Sequence, residues 1–130
     1  MRENQRSLNS YNSMDIITYT IDAKGKALGR VASLAATYLM AKNLPTFERH
    51  KKPSVTVVIT NASKLSLTNK KKKDTKYTGY SGYQGGFLQE DLAALSERRG
   101  YAEGLKRAIK GMIPDNKLRP DMLKRLKITE

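Results

Sequence analysis

The segment Ser54–Thr60 (SVTVVIT) decides the fold. It is nearly continuously apolar and β-branched, a composition typical of a strand that is covered on both faces in a parallel sheet. A shorter segment of the same kind, Ile16–Ile21 (IITYTI), precedes it and ends at Asp22. The two segments predict the first strands of one sheet.

A helix is predicted between these strands. After the loop AKGKALGR (residues 23–30), apolar residues recur at the spacing of one helical face; they are Leu28, Val31, Ala32, Ala35, Tyr38 and Leu39. Lys42 and Asn43 mark the end of this helix, and Pro45 prevents its continuation. Strand, glycine-containing loop and helix are typical of the first half of a βαβ unit.

The rest of the chain predicts one more strand and a helical C-terminal half. Residues 61–63 indicate a turn or a single helical turn, and residues 64–68 (KLSLT) alternate as a third strand does. Residues 77–86 (YTGYSGYQGG) predict an ordered loop or a nonregular hairpin. Helical faces follow at Leu88/Leu92/Leu95, at Leu105/Ile109/Met112 after Gly100, and at Met122/Leu123/Leu126 after Pro114 and Pro120. The elements predict an α/β sandwich with a small parallel or mixed sheet.

Composition indicates a single globular domain with a polyanionic partner. The chain has 130 residues, with 25 Lys and Arg against 12 Asp and Glu, and a formal charge of +13. It has no cysteine, which excludes disulfides and thiolate metal sites and suits the cytoplasm. No apolar stretch approaches the length of a bilayer span, so we expect no membrane partner. Residues 1–13 are expected to form a flexible extension, with Met14 as an alternative start, and residues 14–130 one RNA-binding domain.

Three groups of residues, together with the cations around His50 in the segment ERHKK (residues 48–52), are candidates for RNA contact. In the loop before the first helix, backbone N–H groups, glycines and cations surround a helix N-terminus and favour phosphate. The lysine run 70–73 leads into tyrosines interleaved with glycines, a pattern that suits phosphates and unstacked bases. The last 26 residues add further cations on helices. The predicted RNA-binding residues are Lys24, Lys26, Arg30, Arg49, Lys51, Lys52, Lys70, Lys71, Lys72, Lys73, Lys76, Tyr77, Tyr80, Tyr83, Lys106, Arg107, Lys110, Lys117, Arg119, Lys124, Arg125 and Lys127.

Other interpretations of the same residues remain open at this point. The glycine loop alternatively forms a plain tight turn or a nucleotide site, although it lacks the Gly-Lys-Ser/Thr pattern of a P-loop. The tyrosines alternatively pack onto the domain, and the lysines form a solvated loop. Two successive helices suggest a DNA-binding helix-turn-helix, but the connection 111–120 is long for that motif. With a single histidine, His50, and scattered carboxylates, we expect no enzyme activity, metal or cofactor.

Four ordered blocks of the sequence resemble one protein family. They are residues 20–33 (TIDAKGKALGRVAS), 57–71 (VVITNASKLSLTNKK), 76–86 (KYTGYSGYQGG) and 109–128 (IKGMIPDNKLRPDMLKRLKI). In order and spacing they are similar to the bacterial-type large-subunit ribosomal protein that is number thirteen of its series. Residues 50–54 (HKKPS) differ from the Asp-x-Gly-Asp turn that this family usually shows there.

The resemblance implies a fold and a function. It implies a three-layer α/β/α sandwich around a small, about four-stranded, mainly parallel sheet. It also implies a structural, non-enzymatic ribosomal protein in the cytoplasm that binds large-subunit ribosomal RNA and assists early assembly of the subunit. The implied partners are that RNA and neighbouring large-subunit proteins, with no small-molecule substrate.

Overall fold

Strands and helices alternate along the described part of the chain, which is residues 16–130 of a computed structural model. The elements are β1 (Ile17–Asp22), α1 (Leu28–Leu39), β2 (Val55–Thr60), a 3₁₀ turn (Ala62–Lys64), α2 (Asn69–Asp74), β3 (Lys76–Tyr80), β4 (Phe87–Asp91), α3 (Leu92–Arg99), α4 (Tyr101–Met112), α5 (Arg119–Lys124) and β5 (Leu126–Ile128). The predictions for residues 1–13 and Met14 lie outside the described residues. That residues 14–130 form one domain stays a prediction.

A three-stranded parallel sheet in the order β1-β2-β5 forms the centre of the fold. Tyr19 pairs with Val57, and Val57 pairs on its other side with Leu126. The strands predicted on either side of α1 are therefore confirmed. They pair in parallel, so β1, α1 and β2 form a βαβ unit. The α/β class is confirmed as well.

The central strand β2 is fully buried on one face only. Val55, Val57 and Ile59 are buried, whereas the alternate residues Thr56 and Val58 are half-buried. The expectation that this strand is covered on both faces was wrong. Alternate side chains of a strand point to opposite faces, and the threonines on the second face tolerate contact with water.

The core lies between the buried face of the sheet and the helices α1 and α4. Ala32 and Ala35 of α1 are completely buried beside β2, together with Leu105 and Ile109 of α4. Alanines allow the helix backbone to approach its neighbours closely, so α1 packs against both the sheet and α4. The apolar periodicity predicted for α1 is the face that makes these contacts.

The strand predicted at residues 64–68 was wrong. This segment makes a single parallel bridge, between Ser66 and Ala27. The N–H of Ser66 donates to the carbonyl of Lys26 at 2.9 Å, and the N–H of Gly25 donates to the carbonyl of Lys64 at 2.9 Å. The segment therefore supports the glycine loop before α1 instead of extending the sheet.

The glycine- and tyrosine-rich segment belongs to an antiparallel hairpin, β3-β4. A hairpin was one of the two predicted alternatives, but its pairing is regular and its second strand lies beyond residue 86. Leu88 was expected on a helical face with Leu92 and Leu95, but it lies in β4 and is exposed. The helix α3 begins at Leu92, where the strand ends. A period of four at Leu88 and Leu92 thus crossed an element boundary.

The C-terminal residues return to the centre of the molecule. Gly100, at a φ of 81°, separates α3 from α4 as predicted, and α4 ends before Pro114. Met112 was expected on the buried face of α4, but it is 43% exposed. The predicted last helix forms as α5, whereas Leu126 belongs to the unpredicted strand β5. The side chain of Glu130 accepts a hydrogen bond from the N–H of Ala102 at 3.2 Å, and so caps the first turn of α4.

Candidate nucleic-acid interface

The loop before α1 presents cationic side chains around a backbone that is already hydrogen-bonded. Gly25 has a φ of 68°, which favours glycine, and its N–H is used by Lys64. The N–H of Lys26 donates to the carbonyl of Ala23 at 3.1 Å. These two N–H groups are therefore used within the protein and are not available to a phosphate. The side chains of Lys24, Lys26 and Arg30 are exposed and remain the predicted phosphate ligands.

Asp22 organises the start of this loop. Its Oδ1 atom accepts hydrogen bonds from the side-chain amide of Asn61 at 2.9 Å and from the N–H of Lys24 at 3.0 Å. The Asn61 hydrogen bond, followed by that from Lys24, holds the pKa of the Asp22 carboxyl below its usual value. Asn61 itself adopts a left-handed φ of 59°, a conformation that asparagine tolerates. The Asp22 carboxylate therefore links the start of the loop to Asn61, the residue that follows β2.

The lysine run forms a short helix, α2, instead of a loop. The hydroxyl of Thr68 accepts a hydrogen bond from the N–H of Lys71 at 3.3 Å and caps the helix. Successive residues on a helix are about 100° apart, so four lysines point in all directions around it. Lys70, Lys71 and Lys73 are exposed, whereas Lys72 is half-buried with Nζ 5.8 Å from the centre of the Tyr101 ring.

The three predicted tyrosines of the hairpin occupy two different environments. Tyr77 is half-buried, and the guanidinium carbon of Arg107 lies 4.7 Å from its ring centre. Burial raises the pKa of the Tyr77 hydroxyl, and the positive charge of Arg107 partly opposes this. Tyr80 and Tyr83 are 66% and 79% exposed. One face of Tyr77 is thus occupied within the protein, whereas Tyr80 and Tyr83 present free rings.

One further aromatic ring on this hairpin was not predicted from the sequence. Phe87 pairs directly with Tyr80 across the strands and is 62% exposed. The sequence feature that could have indicated this ring is its position directly after Gly85–Gly86. In a hairpin, a residue that follows the turn lies opposite a residue of the preceding strand, and the two side chains interact. Residues 80–88 contain no charged side chain. The end of the hairpin is therefore a neutral aromatic surface, and the lysines of α2 lie at its other end.

Four of the predicted cations form ion pairs within the protein. Lys51 binds Glu48 at 2.9 Å, Lys52 binds Asp121 at 2.9 Å, Arg107 binds Glu103 at 3.4 Å and Arg119 binds Asp115 at 2.7 Å. The hydrogen bond from Lys52, assisted by its charge, holds the pKa of Asp121 below its usual value. Lys52 therefore ties the loop before β2 to α5, and this contact is not local in sequence.

The other predicted cations are distributed over several elements. Within residues 16–130, no ion pair engages Lys76, Lys106, Lys110, Lys117, Lys124, Arg125 or Lys127. All except the half-buried Arg125 are exposed. Two exposed lysines, Lys42 and Lys64, are additional cations outside the predicted set. Contact between the predicted residues and RNA stays a prediction.

The described residues contain neither a cluster of metal-binding side chains nor a helix that could span a membrane. Between residues 16 and 130, no three His, Asp or Glu side chains lie close enough together to hold a metal ion. The single histidine, His50, places Nε2 3.1 Å from a carboxylate oxygen of Glu48 at the protein surface. None of the helices in this range has the length and apolarity that a membrane crossing requires.

Comparison with known proteins identifies the family. The family model described as "Ribosomal protein L13" matches residues 17–130. The chain is 42% identical to the large ribosomal subunit protein uL13 of Citrifermentans bemidjiense over 110 residues, which is 85% of this chain and 77% of that protein. It is 43% identical to the protein of the same name from Caldanaerobacter subterraneus, over 85% of this chain and 76% of that protein.

These matches confirm the predicted family, its ribosomal location and its non-enzymatic character. The family model covers every described strand and helix, and the cationic surfaces described above lie within the matched residues. This chain belongs to the ribosomal protein L13 family, a family of structural components of the large ribosomal subunit.

Proposed function

We propose that this protein binds large-subunit ribosomal RNA through separate basic surfaces and thereby assists early assembly of the subunit. One observation carries the proposal: exposed cations that form no ion pair within residues 16–130 lie on several different elements, including the loop before α1, α2, α4 and the C-terminal segment. A folded RNA presents phosphates in many directions, so cations on separate elements suit it better than a single groove does.

Release of counterions supplies much of the affinity in this mechanism. Each phosphate that is neutralised lowers the slope of log affinity against log salt by roughly 0.7 to 0.9. Helical RNA is read by shape, so the basic surfaces carry little sequence information. Stacking of unpaired bases on Tyr80, Tyr83 and Phe87 adds contacts that do not depend on salt.

Salt-dependent binding of purified large-subunit RNA tests this function. Replacement of Lys70, Lys71 and Lys73 by alanine should make the slope shallower by roughly two to three, because about three phosphate contacts are lost. Arg99→Ala is the matched control, since Arg99 is an exposed cation outside the predicted set. Equal slopes for the triple variant and the unchanged protein would contradict the assignment of α2.

The assembly role is tested by depletion of the protein in growing cells. If it joins two or more RNA segments early, its loss should produce particles lighter than the large subunit, and re-expression should convert them. Large subunits of normal sedimentation that merely lack the protein would contradict an early role. Crosslinking of purified subunits tests the remaining expectation, that neighbouring large-subunit proteins contact this chain.

A further inference from the structure

A cleft of about 480 Å³ lies between the turns after α1 and the end of α4. Residues 40–51 form one side, and residues 111–116 form the other. A second cavity of about 380 Å³ adjoins it and shares Met40, Phe47, Glu48 and Lys51 with it. We call the larger cavity the methionine cleft, because all three methionines of the described residues (Met40, Met112 and Met122) line it.

Half of the residues that line the methionine cleft are apolar, and its methionines are adaptable. Met122 and Ile113 are buried at its base, and Met40 and Phe47 are half-buried in its wall. The exposure of Met112, which contradicted the predicted helical face, is explained by its position in this cleft. Methionine side chains are flexible and polarisable, and they contact aromatic rings favourably.

The rim of the methionine cleft is positively charged. Lys42, Arg49 and Lys51 line it with a single carboxylate, that of Glu48. Glu48 is already bound to Lys51 at 2.9 Å and to His50 at 3.1 Å. No ion pair engages Lys42 or Arg49 anywhere in residues 16–130. The rim therefore has two cations available beside an apolar interior.

This combination points to one kind of ligand. We infer that the methionine cleft binds a single unpaired nucleotide of RNA, with the base between the methionines and the phosphate on Lys42 and Arg49. The volume of the cleft lies in the range of small-ligand sites. An apolar side chain of a protein partner would use the interior but leave both rim cations without a counter-charge. The inference rests on the proposed RNA-binding function and names a nucleotide site within it.

The methionine methyl groups provide a direct readout. Protein labelled with ¹³C at the methionine methyls should show upfield shifts of the Met40, Met112 and Met122 signals when a short oligoadenylate strand binds, because a base would lie beside them. A short blunt RNA duplex, which has no unpaired base, should bind through the basic surfaces without moving these signals. Shifts of equal size with both RNAs, or binding of the strand without any shift, would overturn the inference.

A variant that fills the cleft separates this site from the basic surfaces. Gly111 lines the cleft, and a Cβ atom at this position would have no neighbour within 4 Å, so Gly111→Leu adds bulk at an open position. It should weaken strand binding about tenfold, the loss of one stacked base, and leave duplex binding unchanged. The matched control is Ala94→Leu, at an exposed position of α3 outside the cleft.

A second pair of variants keeps the test informative if Gly111→Leu does not fold. Lys42→Ala combined with Arg49→Ala should weaken strand binding and reduce the methyl shifts, while Arg99→Ala should do neither. Unchanged methyl shifts in the double variant would overturn the assignment of the phosphate. If the unmodified protein binds neither the strand nor the duplex, the proposed function itself is contradicted. The failure of this inference and the failure of the proposed function are therefore distinguishable.

Discussion

The guanidinium of Arg107 lies over the ring of Tyr77, with 4.7 Å between its central carbon and the ring centre. The contact joins the hairpin to α4, and a hydrogen bond from Arg107 to Glu103 at 3.4 Å holds the guanidinium in place. Tyr77 and Arg107 were both predicted to bind RNA. Their mutual contact indicates that they support the hairpin from which the exposed tyrosines project.

Arg107→Ala should therefore destabilise the fold by about 1 kcal/mol, the usual size of a cation–π contact. It should also raise the pKa of Tyr77 further, because the opposing charge is lost. A tyrosine pKa raised by folding contributes stability that is fully present below its unfolded value of 10.0 and is lost as the pH rises through the folded value. NMR titration of the Tyr77 ring carbon measures this pKa. An unchanged pKa of Tyr77 in Arg107→Ala would contradict the contact. Arg107→Lys, which keeps the positive charge, should largely retain the pKa of the unchanged protein.

Two carboxylates should make the protein sensitive to acid. Arg98 binds Glu90 through two hydrogen bonds, at 3.0 and 2.7 Å, and lowers the pKa of Glu90, as Lys52 does for Asp121. Stability from these groups is present above their unfolded values of 4.5 and 3.8 and is lost as the pH falls through the lower folded values. As the pH is lowered, the melting temperature should fall less steeply in the Glu90→Gln and Asp121→Asn variants than in the unchanged protein. Glu97→Gln, at an exposed position without an ion pair in the described residues, should follow the unchanged protein.

The free rings of the hairpin should affect binding but not stability. Tyr83→Ala should weaken the binding of single-stranded RNA about tenfold, because stacking of one base is lost, and should not change the salt slope. Leu88→Ala is the matched control, since Leu88 is 69% exposed on the same hairpin but has no ring. Equal losses for both variants would show that the hairpin contributes apolar area instead of stacking. Filter binding and thermal melting measure the two properties.

Two apolar residues on α4 should respond very differently to truncation. Ile109 is completely buried, so Ile109→Ala should cost about 2 to 5 kcal/mol of unfolding free energy. Met112→Ala, three residues later but at an exposed position, should cost less than about 1 kcal/mol. Denaturant titration compares them. Similar costs would mean that Met112 belongs to the core, as its helical spacing first indicated.

Local patterns in the sequence were sufficient for the elements around the core. The spacing of Leu28, Val31 and Ala35 defines the face of α1 that is buried, and the β-branched run at 55–60 forms the central strand. The short strand β5 was not predictable in this way, because three residues after a helix carry no periodicity of their own. Its position follows from pairing with β2, which is distant in sequence.

The same distinction holds for the candidate interface. The exposed lysines follow from their clustering in the sequence, and the pairs Arg107–Glu103 and Arg119–Asp115 have the helical spacing of four residues. The pair Lys52–Asp121 and the methionine cleft bring together residues that are far apart in the chain. Only the folded backbone places them side by side, and this is why the exposed Met112 was assigned to the core.

The late position of β5 has a consequence for the synthesis of this protein. During translation β2 leaves the ribosome long before Leu126–Ile128, and until then one of its edges presents unpaired N–H and C=O groups. Such an edge pairs readily with strands of other nascent chains. The newly made protein is thus most prone to aggregation in the interval before its C-terminal residues emerge, and a chaperone that shields this edge would matter most during that interval.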